Sequence, residues 1–571
     1  MSDQRQYVEN IATLLDRRTR TKFDMSGPAG GLKLMTMNKG LLYPVYTIEV
    51  LPGDTWKINV KALIRAQTLI KPIMNNMWAQ IQCYFVPNRL TCEKWEEIMG
   101  ANKQGPWITN KTTYEVPKLA APNGGWAEKS LADYLGVPTK VGGIQISSLY
   151  TKGYCQICND WYRDENRMNF THITTGNTNL TGSNGTNYVT DIELGGCLFP
   201  VAKAFDLFTG SLIQPQKGPS VLLPLGATAP VSIYGNGKVL GFDTKSGLNT
   251  GLVYTTNNSA NKLSMSEASY GQNLADASVG TAPNNIDVVG LSSDPTKSGI
   301  SGIADLSGAT AANINDVRLA VAVQHMLELD ALAGTRYTEI LYAEFGVRSS
   351  DARLQRSEYL GGKSVPIQIT QVIQNSESNT TPQGNLAGMS QTYDGDDYFT
   401  KSFEEHGIMY IVCCIKGENI YQQGLPAKFS KFKRTDFYSP IYGEGLGAQP
   451  IYNREIYAQG SSVVNPNTNV AYDDEAFGYK EPWAEYRTLE KEVAGEFRSN
   501  ASNTIDYWHI ARDFASLPTN GEAFIQEGKD NLDRALTVAS SVADQFQAAF
   551  AIDAQCVRIM SAHGVPGLRR F

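Results

Sequence analysis

Tyr46-Thr-Ile-Glu-Val-Leu-Pro-Gly-Asp-Thr-Trp-Lys-Ile-Asn-Val60 is the stretch on which the fold turns. Tyr46, Ile48 and Val50 alternate with Thr47 and Glu49. After Pro52-Gly53-Asp54, Trp56, Ile58 and Val60 alternate with Lys57 and Asn59. Successive side chains of a strand point to opposite faces, so period-two alternation marks strands with one buried face, and Pro-Gly-Asp supplies turn chemistry. The stretch predicts a β-hairpin. The same alternation recurs at Ala79, Ile81, Cys83 and Phe85, stopped by Pro87, and at Val365, Ile367 and Ile369. Residues 408–415 are apolar without alternation, as in a strand covered on both faces.

Helical periodicity is sparse. Tyr150, Tyr154, Ile157 and Trp161 form one stripe, and a second helix is expected from Asp316 as N-cap, with Leu319, Val323, Met326 and Leu327 facing inward and Gly334 ending it. Between the strand-rich ends lies a bland segment, residues 235–316, dominated by Gly, Ser, Thr, Asn and Ala. Its aromatics are Phe242, Tyr254 and Tyr270. It has too little apolar surface to offset backbone ordering and is too long for an ordinary loop, so it reads as a surface excursion on a rigid scaffold. Shorter Asn/Ser/Thr-rich stretches near 171–190 and 461–470 read as further surface loops. No solenoid or propeller period is present. Strands at both ends with long insertions between them suit a mainly β, antiparallel sandwich in which sequence-distant strands pair.

The chain has 571 residues, a net charge of −7, and 52 Gly, 28 Tyr and 20 Phe. That charge does not wrap nucleic acid in bulk, so any DNA contact must be local or shared with a basic partner. The 8 Cys are scattered and form no disulfide framework. MSDQRQYVEN at the start lacks the apolar run of a signal peptide, and residues 408–415 are too short to span a bilayer. The expectation is a soluble protein made in a reducing cytoplasm.

Motifs of the kind enzymes use have plainer readings here. Cys155-x-x-Cys158 lacks a second CxxC or an HxxxH and lies on the expected 150–161 helix, so it reads as a pair of packed thiols. Gly361-Gly362-Lys363-Ser364 ends like a phosphate-binding loop, but position 357 is Ser and a strand follows. His172, His325, His406, His509 and His563 show no ligand spacing. Acid pairs such as Asp396-Asp397, Glu404-Glu405 and Asp473-Asp474 read as solvated loop charge, with no cofactor; a weakly held divalent cation is left open.

Two basic segments stand out. Arg17, Arg18, Arg20 and Lys22 lie beside Phe23 on a polar arm, residues 1–24. They read either as phosphate contacts with a stacking ring or as a solubilising tail. Arg569 and Arg570 are similar. The run from Lys428 to Arg434 interleaves cations with Phe429 and Phe432. At spacing two this is a strand with one aromatic and one basic edge, and with Tyr438 following, Phe429, Phe432, Lys433 and Arg434 read as a packed strand or subunit contact before a nucleic-acid site.

Several blocks, in shared order, resemble the major capsid protein of gokushovirus-like microviruses, small tailless bacteriophages with single-stranded DNA. They include Lys22-Phe-Asp24, Leu51-Pro-Gly-Asp-Thr55, Tyr84-Phe-Val-Pro-Asn-Arg89, Asn159-Asp-Trp-Tyr-Arg-Asp164 and Pro215-Gln-Lys-Gly218. After the bland segment come Gly334-Thr-Arg-Tyr337, Ser350-Asp-Ala-Arg-Leu-Gln-Arg-Ser-Glu-Tyr-Leu-Gly-Gly362 and Thr400-Lys-Ser-Phe-Glu-Glu-His406. Tyr421-Gln-Gln-Gly424, Phe477-Gly-Tyr479, Trp483-Ala-Glu-Tyr-Arg487 and Pro566-Gly-Leu568 complete the set.

The resemblance implies an eight-stranded antiparallel jelly roll with long loop insertions and a few short helices. It divides the chain into an arm (1–24), a first jelly-roll part (25–226), an insertion forming a threefold protrusion (227–316) and the remainder (317–571). It also implies a homo-oligomeric icosahedral shell in the virion, assembled in host cytoplasm around a circular single-stranded DNA. The implied partners are a small basic DNA-packaging protein, a scaffolding protein, a pilot or minor capsid protein and a host cell-surface receptor. A secreted β-sandwich that binds or cleaves polysaccharide is the alternative. It calls for a signal peptide and a paired-carboxylate cleft, and neither is read here. A monomeric binding module would not need so long and aromatic a chain.

Overall fold

Alternating stretches become strands, and their partners come from opposite ends of the chain. The computed structural model describes residues 20–101, 103, 112–221, 231–235, 242–244, 289–291, 300–304, 314–377, 382–443 and 446–560. In chain order its strands are β1 (Thr21–Met25), β2 (Gly31–Met37), β3 (Leu42–Val50), β4 (Thr55–Ala66), β5 (Met77–Pro87), β6 (Lys118–Ala120), β7 (Gln145–Ser147), β8 (Leu180–Thr181), β9 (Val231–Gly235), β10 (Phe242–Thr244), β11 (Val289–Leu291), β12 (Ile300–Ala304), β13 (Glu358–Pro366), β14 (Ile369–Ile373), β15 (Leu386–Ser390), β16 (Thr392–Ser402), β17 (Gly407–Gly417), β18 (Gln449–Tyr452), β19 (Ala476–Lys480) and β20 (Phe546–Arg558).

Two antiparallel sheets face each other. One runs β2-β20-β4-β16, with β1 continuing the β2 line along the far half of β20. The other runs β3-β17-β5-β13. With β1 and β2 taken as one strand interrupted at Gly27–Ala29, this is an eight-stranded jelly roll.

The core lies between the sheets. Trp56, Ile58, Val60, Ala62 and Ile64 of β4 and Phe546, Phe550 and Ile552 of β20 are buried in one cluster with Ala79, Ile81, Cys83 and Phe85 of β5. Each large side chain so buried contributes roughly 1.5–3 kcal/mol. In β17 residues 408–415 are all buried. The second face of this strand is covered by the helix Leu149–Ile157, where the Tyr410 hydroxyl donates to the carbonyl of Tyr150 at 2.9 Å. Tyr154 and Ile157 of the expected stripe are fully buried, and so are Cys155 and Cys158. Gly361 to Ser364 lie within β13 and form no phosphate loop.

The expected hairpin is not formed. β3 pairs with β17, while β4 lies between β20 and β16, so the turn at 51–54 is a corner that carries the chain from one sheet to the other. Gly53 takes φ +86° and its N–H donates to the carbonyl of Phe403 at 2.8 Å. Alternation specifies strand and face but not partner, and the apolar faces of β3 and β4 are both satisfied by packing across the sandwich. A register shift in β3 falls just before Tyr46, opposite Ile411 and Val412, and Tyr46 is exposed while Val50 is buried.

The chain divides into two compact units, Gly218–Leu327 and the remainder. Within Gly218–Leu327, β9 pairs with β12 and β10 with β11, both antiparallel, so this bland stretch does contain paired strands. The helix Ile314–Ala333 starts there, ahead of Asp316, which falls in its first turn instead of at the N-cap. Leu319 and Met326, expected to face inward, are exposed. Apolar periodicity identifies a face that prefers burial, but which of its side chains are covered is decided by tertiary placement. Gly334, at φ +110°, follows the helix end as expected.

Candidate subunit interface

The loop that follows Leu425 is held by local hydrogen bonds that exclude a strand. Pro426 offers no N–H, a 3-10 turn spans Ala427–Phe429, and a second spans Arg434–Asp436. The Asp436 carboxylate accepts from the backbone N–H of Lys433 at 2.7 Å and of Phe432 at 2.9 Å. These two bonds hold its carboxyl below the usual carboxylate range. The expected strand from Lys428 to Arg434 is therefore replaced by two tight turns, because the Asp side chain takes the backbone donors a ladder would need.

Large side chains of this loop and of the segment near residue 489 are exposed. Phe432 is 84% exposed, Ile441 97% and Leu489 99%. Phe429, Phe437, Tyr438 and Tyr486 are also exposed. A groove of about 460 Å³ opens beside them, lined by Phe205, Phe208, Tyr421, Leu425, Phe429, Leu489 and Val493.

Three cations of this face are paired within it. Lys428 pairs with Glu492, Lys431 with Glu485 at 3.1 Å, and Arg487 with Glu481 at 2.6 Å. The Lys431 ammonium also sits 3.8 Å from the ring centroid of Tyr486. An anionic polymer finds few unpaired cations here, whereas an apolar partner finds an aromatic surface. Phe429 lines the groove, Phe432 and Lys433 line a neighbouring cavity, Tyr438 lies against Trp483 and Tyr486, and Arg434 starts the second turn. Leu425 and Leu489 line the groove with Phe429, and Tyr486 lies against Tyr438, although nothing in their spacing marked them: loop residues have no period to read. Trp483 and Tyr486 did stand in a block carrying the resemblance.

The other candidates are placed differently. Arg20 and Lys22 are exposed, but Lys22 and Phe23 belong to β1, with Phe23 opposite Cys556. Adjacent strand residues face opposite ways, so the half-buried Phe23 ring is not on the face of Lys22, and residues 21–24, expected in the arm, belong to a strand. Arg17, Arg18, Arg569, Arg570, Tyr254 and Tyr270 lie outside the described residues, as does the side chain of Phe242 in β10. Among the described residues no group of three or more His, Cys, Asp or Glu is placed to hold a metal ion, and no helix is long and apolar enough to cross a membrane.

Comparison with known proteins matches this architecture to a family. Residues 14–568 match the family described as capsid protein (F protein). The chain is 35% identical to capsid protein VP1 of Spiroplasma virus 4, over 94% of each chain. It is 37% identical to capsid protein VP1 of Bdellovibrio phage phiMH2K, over 96% of this chain and 95% of that one. Against capsid protein VP1 of Chlamydia phage 1 it is 36% identical, over 97% and 96%. A jelly roll with long insertions, matched end to end by capsid proteins of these viruses, makes the assignment plain: the chain belongs to the capsid protein (F protein) family, whose members are structural proteins that build a shell.

Proposed function

We propose that copies of this chain close into an icosahedral shell around a circular single-stranded DNA, joined in part through the loop face of residues 425–441 and 486–489. The observation that carries this is the set of exposed aromatic and apolar side chains, beside which Lys428, Lys431 and Arg487 are already paired with acids. Point-group symmetry lets one such face recur at every equivalent joint, and many weak joints give a cooperative shell.

The net charge of −7 suits a division of labour in which a small basic protein neutralises most of the packaged DNA, with exposed Arg20 and Lys22 adding local contacts. Scaffolding and pilot proteins complete assembly in the host cytoplasm, and the product is the virion. The insertion at 227–316 forms the threefold protrusion, where Asn, Ser and Thr side chains suit hydrogen bonding to a host-surface glycan.

Expression alone and with the sibling virion genes, followed by electron microscopy of the high-mass fraction, tests the reading. Closed icosahedral particles studded at the threefold axes are expected. A monodisperse monomer under every condition overturns it.

A further inference from the structure

The helix Tyr337–Phe345 has no buried residue. Tyr337, Leu341 and Phe345 recur every four residues and so lie along one stripe, with Tyr337 65% and Phe345 69% exposed. Tyr342 flanks the stripe, and the Arg348 guanidinium lies 4.7 Å from its ring centroid. The helix is anchored at its start. Arg336 donates to the carbonyls of Asn159 at 3.2 Å and Arg163 at 3.0 Å, and it pairs with Glu165. An apolar stripe on an anchored helix is the kind of surface that enters a partner's apolar groove.

The groove of about 460 Å³ beside the loop face is such a place, with Phe208, Tyr421, Leu425, Phe429 and Leu489 in its wall. A cavity of about 150 Å³ holds one benzene ring, so this volume has room for about three large side chains. Its acids differ in how they are held. Glu492 pairs with Lys428, Glu455 with Lys480 at 3.4 Å, and Asp206 accepts from the Tyr421 hydroxyl at 3.1 Å. Glu490 is half-buried and makes no ion pair among the described residues. Burial raises its carboxyl above the usual carboxylate range, and the charge of nearby Glu455 adds to this. Arg348 is exposed and likewise has no acid partner among the described residues.

We propose that the helix Tyr337–Phe345 of one copy seats in this groove of a second copy, with Tyr337, Leu341 and Phe345 inside and Arg348 against Glu490. The partner is a second copy because the charges match, an exposed guanidinium for a half-buried carboxylate without an ion pair. The stripe also does not enter the groove of its own copy. Helix and groove are different surfaces, so the joint is heterologous, and such joints close rings around the threefold and fivefold axes of a shell. The apolar stripe supplies contact area, and the charge pair sets the direction in which the helix lies, which non-directional burial cannot do. The inference rests on the shell reading above and adds to it which two surfaces meet.

Arg348→Glu and Glu490→Arg are made singly and together. Each variant is co-expressed with the virion genes, and particles are separated from free subunits by sedimentation. At equal subunit concentration each single variant should lower the particle yield by about tenfold or more, the usual scale for a hydrogen bond between charged groups. The double variant should recover most of that yield, because the pair is restored with its signs exchanged. The free subunits should melt as the wild type does. If Glu490→Arg lowers the melting temperature, Arg348→Gln and Glu490→Gln carry the test, and their losses should not add when combined. Unchanged yields in the single variants, a double variant no better than either, or glutamine losses that add overturn the joint and leave the shell standing. A wild type that forms no particles overturns both.

Discussion

Arg558 forks onto the buried carboxylate of Asp54, with Nη2 2.6 Å from Oδ2 and Nε 3.0 Å from both oxygens. This bond raises the Arg558 guanidinium above its ordinary range. The same carboxylate accepts from the N–H of Leu51 at 2.9 Å and the indole of Trp56 at 3.3 Å. One side chain thus ties the corner between the two sheets to the end of the last strand. Asp54→Ala leaves Arg558 and two further donors without their acceptor. It should cost about 3 kcal/mol, the scale for breaking one side of a buried pair. Urea unfolding of the free subunit measures this, and a loss below about 1 kcal/mol would show the corner to be held by packing alone.

Gly153 is a helical glycine that should resist replacement by alanine. Alanine ordinarily favours a helix by about 1 kcal/mol over glycine. Here a Cβ would run into the Tyr410 hydroxyl, which is fixed by its bond to the Tyr150 carbonyl. Gly153→Ala should destabilise by about 1–3 kcal/mol, as overpacked sites do. Gly153→Ala combined with Tyr410→Phe should recover part of that loss, because the oxygen in the way is gone. Thermal unfolding of the three variants decides it.

Lys203 is buried, donates to the carbonyl of Phe524, and has its ammonium 4.1 Å from that residue's ring centroid. Burial brings it down from 10.5 to about 7, and the charge of nearby Arg512 pushes the same way. Between about pH 7 and 10.5 the unfolded chain therefore binds a proton at this position that the folded chain does not. Stability rises with pH across that window and is flat in this contribution below it. Lys203→Met should flatten the rise. Melting curves at half-unit steps from pH 7 to 10 measure it, and an unchanged slope would show that the ammonium stays charged in the fold.

Phe432→Glu and Leu489→Glu place charges on the apolar loop face, at two highly exposed positions. Neither should alter subunit stability by more than about 0.5 kcal/mol, as is usual for surface sites. Each should abolish particles, because an unpaired charge would be desolvated at every copy of the joint. Particle formation at the wild-type level by both variants would move the joint elsewhere on the surface.

Strands, their buried faces and the corner residues were legible in the order of amino acids. Trp56, Ile58 and Val60 alternate and are buried, residues 408–415 are covered on both sides, and Cys155 and Cys158 pack a helix. These properties are local, since period and polarity decide which face prefers to leave water. Partner choice was not legible. The stretch from Tyr46 to Val60 carries every mark of a hairpin, yet its halves lie in different sheets, because backbone ladders are alike and any exposed edge can serve. The loop face was half legible. Phe429 and Phe432 announced themselves by type, but the turns that expose them depend on one carboxylate, Asp436, taking two backbone donors. The sequence by itself determined which segments extend and which side chains seek cover. The tertiary structure alone decided what covers them, because pairing and satisfaction arise between residues hundreds of positions apart.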